Sequence, residues 1–218
     1  MSGLVDYFDR NRETILNWFG WHVWLSVLPV VLGLVIAFPL GWLARRYRFA
    51  YGPLVSVAGL LYTIPSLALF VLMPGILHTR ILDPVNVVAA LTVYSVALLV
   101  RVVADGLAAV PEDVEMAARA MGYGPVQRLF AVDLPLAVPV VIAGLRVATV
   151  SNVSLVSVSA LLGVPQLGQL FTTGFSRLVT EPIVLGILGC LLLAAVLDLL
   201  LVAAGALLTP WRRAVRAS

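Results

Sequence analysis

Apolar residues run through this chain in long stretches separated by short polar clusters. Five stretches reach the roughly 20 residues that a helix needs to cross a bilayer core of about 30 Å. They cover about Trp21–Leu43, Leu54–Leu77, Val85–Ala104, Val138–Leu162 and Ile183–Leu208. Pro29, Gly33, Pro39, Pro65 and Gly144 punctuate them, as membrane helices tolerate better than soluble ones. Residues 1–20 follow another pattern. There Leu4, Phe8, Ile15, Trp18 and Phe19 stand among charges, which predicts an amphipathic interfacial helix, with Trp18, Phe19, Trp21 and Trp24 at the outer headgroup level. The same segment lacks the apolar h-region and cleavage site of a signal peptide. The pattern therefore predicts an all-α integral membrane protein of about five transmembrane helices. It divides the chain into an interfacial segment at 1–20, one transmembrane domain at 21–208 and a basic tail at 209–218, with no internal repeat and no soluble domain.

Composition agrees and adds constraints. Of 218 residues, 61% are hydrophobic and 11% charged, against about 25% charged in an average soluble domain. A mean hydropathy of +1.06 excludes an ordinary soluble globule and a disordered chain. All 14 basic residues are arginine. Without lysine there is no Walker A lysine for ATP phosphates, no Schiff-base lysine and no Ser-Lys dyad. Cys190 is the single cysteine and His22 and His78 lie far apart, so no disulfide framework or thiolate metal site forms within one chain. No His neighbours a nucleophile, HExxH is absent, and no aspartates pair within the spans, which speaks against an intramembrane enzyme.

The net charge of +3 changes meaning once it is placed. Arginines sit singly or in short clusters beside apolar runs, a pattern of membrane orientation rather than nucleic-acid binding. Arg45, Arg46 and Arg48 follow span one, Arg101, Arg119, Arg128 and Arg146 lie in or beside the third connection, and Arg212, Arg213 and Arg216 fill the tail. The opposite side receives mixed charges: Asp6, Asp9, Arg10, Arg12 and Glu13, then His78, Arg80 and Asp83, then Arg177 and Glu181. The alternation predicts the N-terminus outside and the C-terminus in the cytoplasm, as an odd number of spans requires.

The third connection, 105–137, is longer than a helical bundle needs. Pro111-Glu112-Asp113 reads as a helix start, with proline in the first turn and acids near the positive end of the dipole. The predicted helix runs to Gly122 as its C-cap, Gly124-Pro125 makes a turn, and a second short helix from Pro125 ends near Leu134-Pro135. A capped helix pair with a polar face suits docking on a cytoplasmic partner. The alternative is a loop that packs on its own bundle.

This loop resembles the EAA loop of ABC importer permeases, whose pattern is Glu-Ala-Ala, three residues, glycine, nine residues, then Ile-x-Leu-Pro. Ala117-Ala118, then Arg119, Ala120 and Met121, then Gly122 fit it, and nine residues on Val132, Asp133, Leu134 and Pro135 fit with valine for isoleucine. Met116 holds the glutamate position, and Glu115 stands one residue early, on a helix face turned by about 100°. More narrowly, Tyr62–Pro74, the arginine-rich linker before it and Ala117–Arg146 resemble the small permeases of glycine betaine, choline and related osmoprotectant importers. Ala160–Phe175 is similar to their outer segment after span four, with Val164-Pro165-Gln166 replacing a more glycine-rich run.

The resemblance implies the type I importer permease fold, in a bacterial cytoplasmic membrane. It implies a translocation subunit paired with a second permease, identical or homologous. Two ATPase subunits would bind ATP and Mg, with no cofactor in this chain, and a separate extracytoplasmic binding protein would deliver substrate. Glu112–Met121 would be the coupling helix. Glu112, Asp113, Glu115, Met116, Ala117, Ala118, Arg119, Met121, Gly122 and Arg128 would face the coupling task, the methionines and Ala120 by packing and Arg119 and Arg128 by polar contacts. Membrane lipid is the other partner, and no nucleic acid is expected.

Polar groups inside the spans supply pathway candidates. Thr149, Ser151, Asn152, Ser154, Ser157 and Ser159 surround span four, which suits a central helix rather than a lipid-facing one. Tyr62, Thr63 and Ser66 around Pro65, with Thr92, Tyr94 and Ser95, are the others. Each small hydroxyl has a plainer use, bonding a backbone carbonyl of its own helix. Substrates implied by the resemblance are often quaternary ammonium compounds, for which the faces of Tyr62, Tyr94 and Phe70 offer cation–π attraction. Asp198 sits about 15 Å of helix from the cytoplasmic end of span five, and Arg146, about 10 Å into span four, is its expected partner in a structural ion pair rather than a proton relay. Arg101 is second. The amphipathic stretch Gly163–Thr180 reads either as an outer gate that meets the binding protein or as a plain interfacial connector. Two other functions stay open: an ABC permease for an amino acid such as methionine, and a secondary transporter, which would leave the loop motif without a task.

Overall fold

The computed structural model describes residues 2–211, all in helices and their connections. The tail arginines Arg212, Arg213 and Arg216 lie outside the described residues. Among those described, four helices are long and apolar enough to cross a membrane: Gly3–Arg46, Pro84–Ala108, Pro125–Leu162 and Thr180–Leu208. A bent pair, Phe49–Thr63 and Ser66–Leu77, supplies a fifth crossing if counted as one span.

Helix α1 runs Ser2–Arg46 and leaves helical geometry only at Asn11. It therefore carries the amphipathic first 20 residues and span one in one element. The apolar face of the early part (Tyr7, Phe8, Ile15, Trp18, Phe19) packs on Leu167, Leu170 and Leu185 rather than lying apart from the bundle. The expected second span does not form one helix. Helices α2 (Arg48–Thr63) and α3 (Ser66–Leu77) meet at 101°. Proline lacks the N–H that would continue the ladder and pushes the preceding residue out of the α region, and Ile64 (ψ 131°) and Pro65 (ψ 130°) are both extended.

Helix α4 (Pro84–Ala108) starts where Asp83 accepts from the Val85 N–H (3.0 Å) and Pro84 takes the first turn. It is the central post, packed against α1, α2 and α3 and against α7 (Leu134–Val158). Small residues permit the approach. A Cβ on Gly33 would stand 2.4 Å from Ser95 Cβ, and one on Gly144 would stand 2.3 Å from Val102. Lipid is as apolar as these side chains, so close packing rather than burial from water holds such helices together.

Two helices occupy the third connection: α5 (Glu112–Ala120) and α6 (Pro125–Arg128). The expected stop at Leu134-Pro135 is absent. A π turn over Leu129–Asp133 runs straight into α7, and the widened ladder receives Pro135 in a new first turn, where a missing N–H goes unnoticed. Beyond α7 come a 3₁₀ turn (Ser159–Leu162), the surface helix α8 (Gln169–Arg177) and, as the last span among the described residues, α9 (Thr180–Leu208).

Candidate functional site

Helix α5 is built by local rules at both ends. Pro111 precedes it, and Glu112, Asp113 and Glu115 fill its first turn, where carboxylates meet the positive end of the helix dipole. It closes in a Schellman motif: Tyr123 N–H donates to Ala118 O (3.1 Å) and Gly122 N–H to Arg119 O (3.0 Å), with Gly122 at φ 86°.

The two faces of α5 have opposite chemistry. Met116 is 57% exposed and Met121 68%, with Glu112, Asp113, Ala117, Ala120 and Gly122 also on the surface. Glu115, one residue before Met116, is turned inward and 6% exposed, and Ala118 is buried beside it. Three arginines converge on the Glu115 carboxylate. Arg45 Nη2 lies 2.7 Å from Oε1, and Arg119 Nη2 and Arg128 Nη1 lie 3.2 and 3.3 Å from Oε2. Arg128 also donates through Nε to Asp133 Oδ2 (3.1 Å) in the π turn. Arg45 Nε reaches the Leu107 carbonyl near the end of α4 (3.4 Å). These groups line a cleft of about 210 Å³ with Trp42, Arg46 and Pro125. Arg128 thus points into the network, not outward with the methionines. In the sequence Arg45 is only one of the arginines that orient span one, and nothing local announces its partner.

The pathway candidates separate into two groups. Tyr62, Tyr94, Ser95, Ser151 and Asn152 line one narrow gap with Leu98, Ala148 and Leu155. Within it the rings of Tyr62 and Tyr94 meet edge to face at 5.7 Å, and Asn152 Nδ2 donates to Ser95 Oγ (3.1 Å). Tyr94 also donates its hydroxyl to the Ile64 carbonyl at the break between α2 and α3. The other hydroxyls serve their own surroundings. Thr63 donates to Leu60 O (2.7 Å), Thr92 to Val88 O, Thr149 to Leu145 O, and Ser157 faces Val153 O and Cys190. Ser66 is half-buried and Ser154 exposed. Phe70, expected as a third aromatic face, has no exposed surface and belongs to the core with Leu25, Leu91 and Val87.

Arg146 and Asp198 meet as a two-pronged pair across α7 and α9, Nε to Oδ1 at 2.6 Å and Nη2 to Oδ2 at 2.8 Å. The fork of guanidinium donors matches the carboxylate and neutralises both charges within the bundle. Arg101 is occupied with Asp105 instead (3.4 Å). A further polar tie was not legible in the sequence. His22 of α1 is buried, with Nδ1 3.1 Å from Gln166 Oε1 and Nε2 3.0 Å from Val153 O, joining α1, α7 and the loop before α8. Among the described residues no group of His, Cys, Asp and Glu could hold a metal ion.

Comparison with known proteins adds the family context. Residues 29–214 match the model of the family described as binding-protein-dependent transport system inner membrane component. The chain is 38% identical over 209 residues to the osmoprotectant import permease protein OsmW of Salmonella typhimurium, covering 94% of this chain and 97% of that one. It is 28% identical to the choline transport system permease protein OpuBB of Bacillus subtilis, covering 96% and 95%. In fold it is similar to the methionine ABC transporter MetNI in an inward-facing form, with a TM-score of 0.72 at 23% identity over 95% of this chain and 97% of that one.

Proposed function

This chain belongs to the family of binding-protein-dependent transport system inner membrane components, and from its sequence relatives we propose that it imports small osmoprotectants of the glycine betaine and choline kind. It is the permease subunit of an ABC importer, a multi-pass membrane protein and a translocation component rather than an enzyme, working with separate ATPase and substrate-binding partners. The finer assembly is a proposal: two ATPase subunits holding ATP and Mg, a second permease, identical or homologous, and an extracytoplasmic binding protein.

One observation supports the coupling role above others. A capped helix holds Met116 and Met121 outward at the end of the bundle while its inner face is tied down by ions. A rigid amphipathic element so presented is a handle, and a partner that grips it moves the bundle as a body. The gap lined by Tyr62, Tyr94, Ser95, Ser151 and Asn152 is the proposed stretch of the substrate pathway. Tyr62, which is 43% exposed, offers cation–π attraction for brief contact with a quaternary ammonium group, with Tyr94 buried behind it. The fold likeness to a methionine transporter concerns architecture alone, whereas the relatives nearer in sequence support the osmoprotectant class.

The test is uptake by proteoliposomes that contain this chain, its ATPase and its binding protein. ATP-dependent accumulation of labelled choline or glycine betaine is expected, with loss of uptake when residues 113–122 are deleted. Accumulation of methionine that betaines do not compete would overturn the substrate class.

A further inference from the structure

On the reading that this chain is the permease of an ATP-driven importer, we propose that Arg45 and Glu115 carry the displacement of α5 directly into α1, which makes Glu115 a positioning residue of the coupling machinery. The covalent neighbours of α5 are α4 on one side and α6 with α7 on the other. Displacing α5 pulls those helices through the backbone. Helix α1 has no such connection, because Arg45 and Glu115 stand 70 residues apart in the chain. Yet α1 is the longest element, packed along α4, α7 and α9, so a bundle that moves as a body must move α1 with it.

Beside the packing of α1 along α4, the structure supplies a direct link from α5 to α1 at one carboxylate. Arg45 lies in the last turn of α1 and bonds Glu115 at 2.7 Å. The other oxygen of Glu115 meets Arg128, which in turn holds Asp133 in the π turn at the base of α7. A single acid on α5 is thereby joined to the ends of α1 and α7, and Arg45 reaches the end of α4 through Leu107 O. The acid is almost wholly buried, so pulling Arg45 away strands part of a desolvated charge. That makes the contact stiff in a way an exposed surface pair is not. The Met116 face is left free for the partner, since Glu115 is spent inside the chain.

Arg45→Met tests the link selectively, because Glu115 keeps Arg119 and Arg128 and the loop keeps its fold. The readout is solute transported per ATP hydrolysed in proteoliposomes with the ATPase and binding protein. Arg45→Met is expected to co-purify with the ATPase as the wild type does while the ratio falls well below the wild-type value. Arg45→Lys, which restores the charge, recovers much of the ratio. Glu115→Gln, which removes the charge that all three arginines share, lowers both the ratio and the amount of ATPase retained. A wild-type ratio in Arg45→Met overturns the proposal. Should that variant yield too little complex, the ratio in Arg45→Gln decides in the same way. Wild-type vesicles that take up neither choline nor glycine betaine count against the substrate reading alone, and the ratio is then measured with the solute that does enter.

Discussion

Gly122 isolates what one backbone angle contributes. Its φ of 86° closes the Schellman cap of α5, and an added Cβ would meet nothing within 4 Å. Gly122→Ala therefore changes only the conformational term, at about 1–2 kcal/mol for an L-residue held left-handed. The expected outcome is a frayed α5 end, seen as faster hydrogen exchange at the amides of Met121–Tyr123, with weaker retention of the ATPase. Unchanged exchange there would mean that the cap is held from elsewhere. This residue was legible in the sequence because its reason is local: a glycine following a short run with acids at its start. Glu115 was legible only in part. Helical periodicity sets it about 100° from Met116, but which of the two faces the bundle depends on Arg45, a residue 70 positions away. The pairing of Arg146 with Asp198 could be read further, since two opposite charges at similar depth in neighbouring spans leave each other few alternatives.

The break between α2 and α3 shows why elements are harder to read than caps. Pro65 is visible in the sequence, yet proline in a membrane helix is compatible with anything from a slight kink to a full break. The 101° bend needs the freed carbonyl of Ile64 to find a donor, and the donor is Tyr94 on α4. Irregular backbone inside a membrane persists only where protein or a water-filled cavity receives it. Tyr94→Phe keeps the ring, and with it the edge-to-face contact with Tyr62, but leaves that carbonyl unpaired. A loss of about 1 kcal/mol is expected, the low end of the penalty for an unsatisfied acceptor because Ile64 is half-buried, read as a lower midpoint of thermal unfolding in detergent. Equal midpoints would assign the bend to Pro65 alone. The run-on from α6 into α7 has a similar origin. Pro135 looks like a terminator until the π turn before it removes the need for its N–H, and no sequence signal marks that turn.

At the scale of the whole molecule, the distribution of polar groups over the exposed surface points to what covers it. Helix α9 presents Leu191, Leu192, Leu199 and Leu200 outward, a surface that lipid accepts. The surface around the helix break differs. Tyr62 is 43% exposed, Thr63 and Ser154 are exposed, and Ser151, three residues before Ser154 and on the same helix face, lines the gap with Tyr62. Hydroxyls rarely face hydrocarbon when an alternative exists, so this side is the proposed seam with the second permease and the edge of the pathway between the two. With Cys190 as the only native thiol, single-cysteine chemistry can test it. In a Cys190→Ser background within the assembled importer, a cysteine replacing Thr63 is expected to form an oxidant-dependent disulfide with the matching position of a second copy, or a bifunctional cross-link to a homologous permease. The same experiment at Leu192 is expected to give monomer. Cross-linking at Leu192 and none at Thr63 would move the seam to α9 and leave Tyr62, which is 43% exposed, facing lipid, where a role in the pathway could not stand.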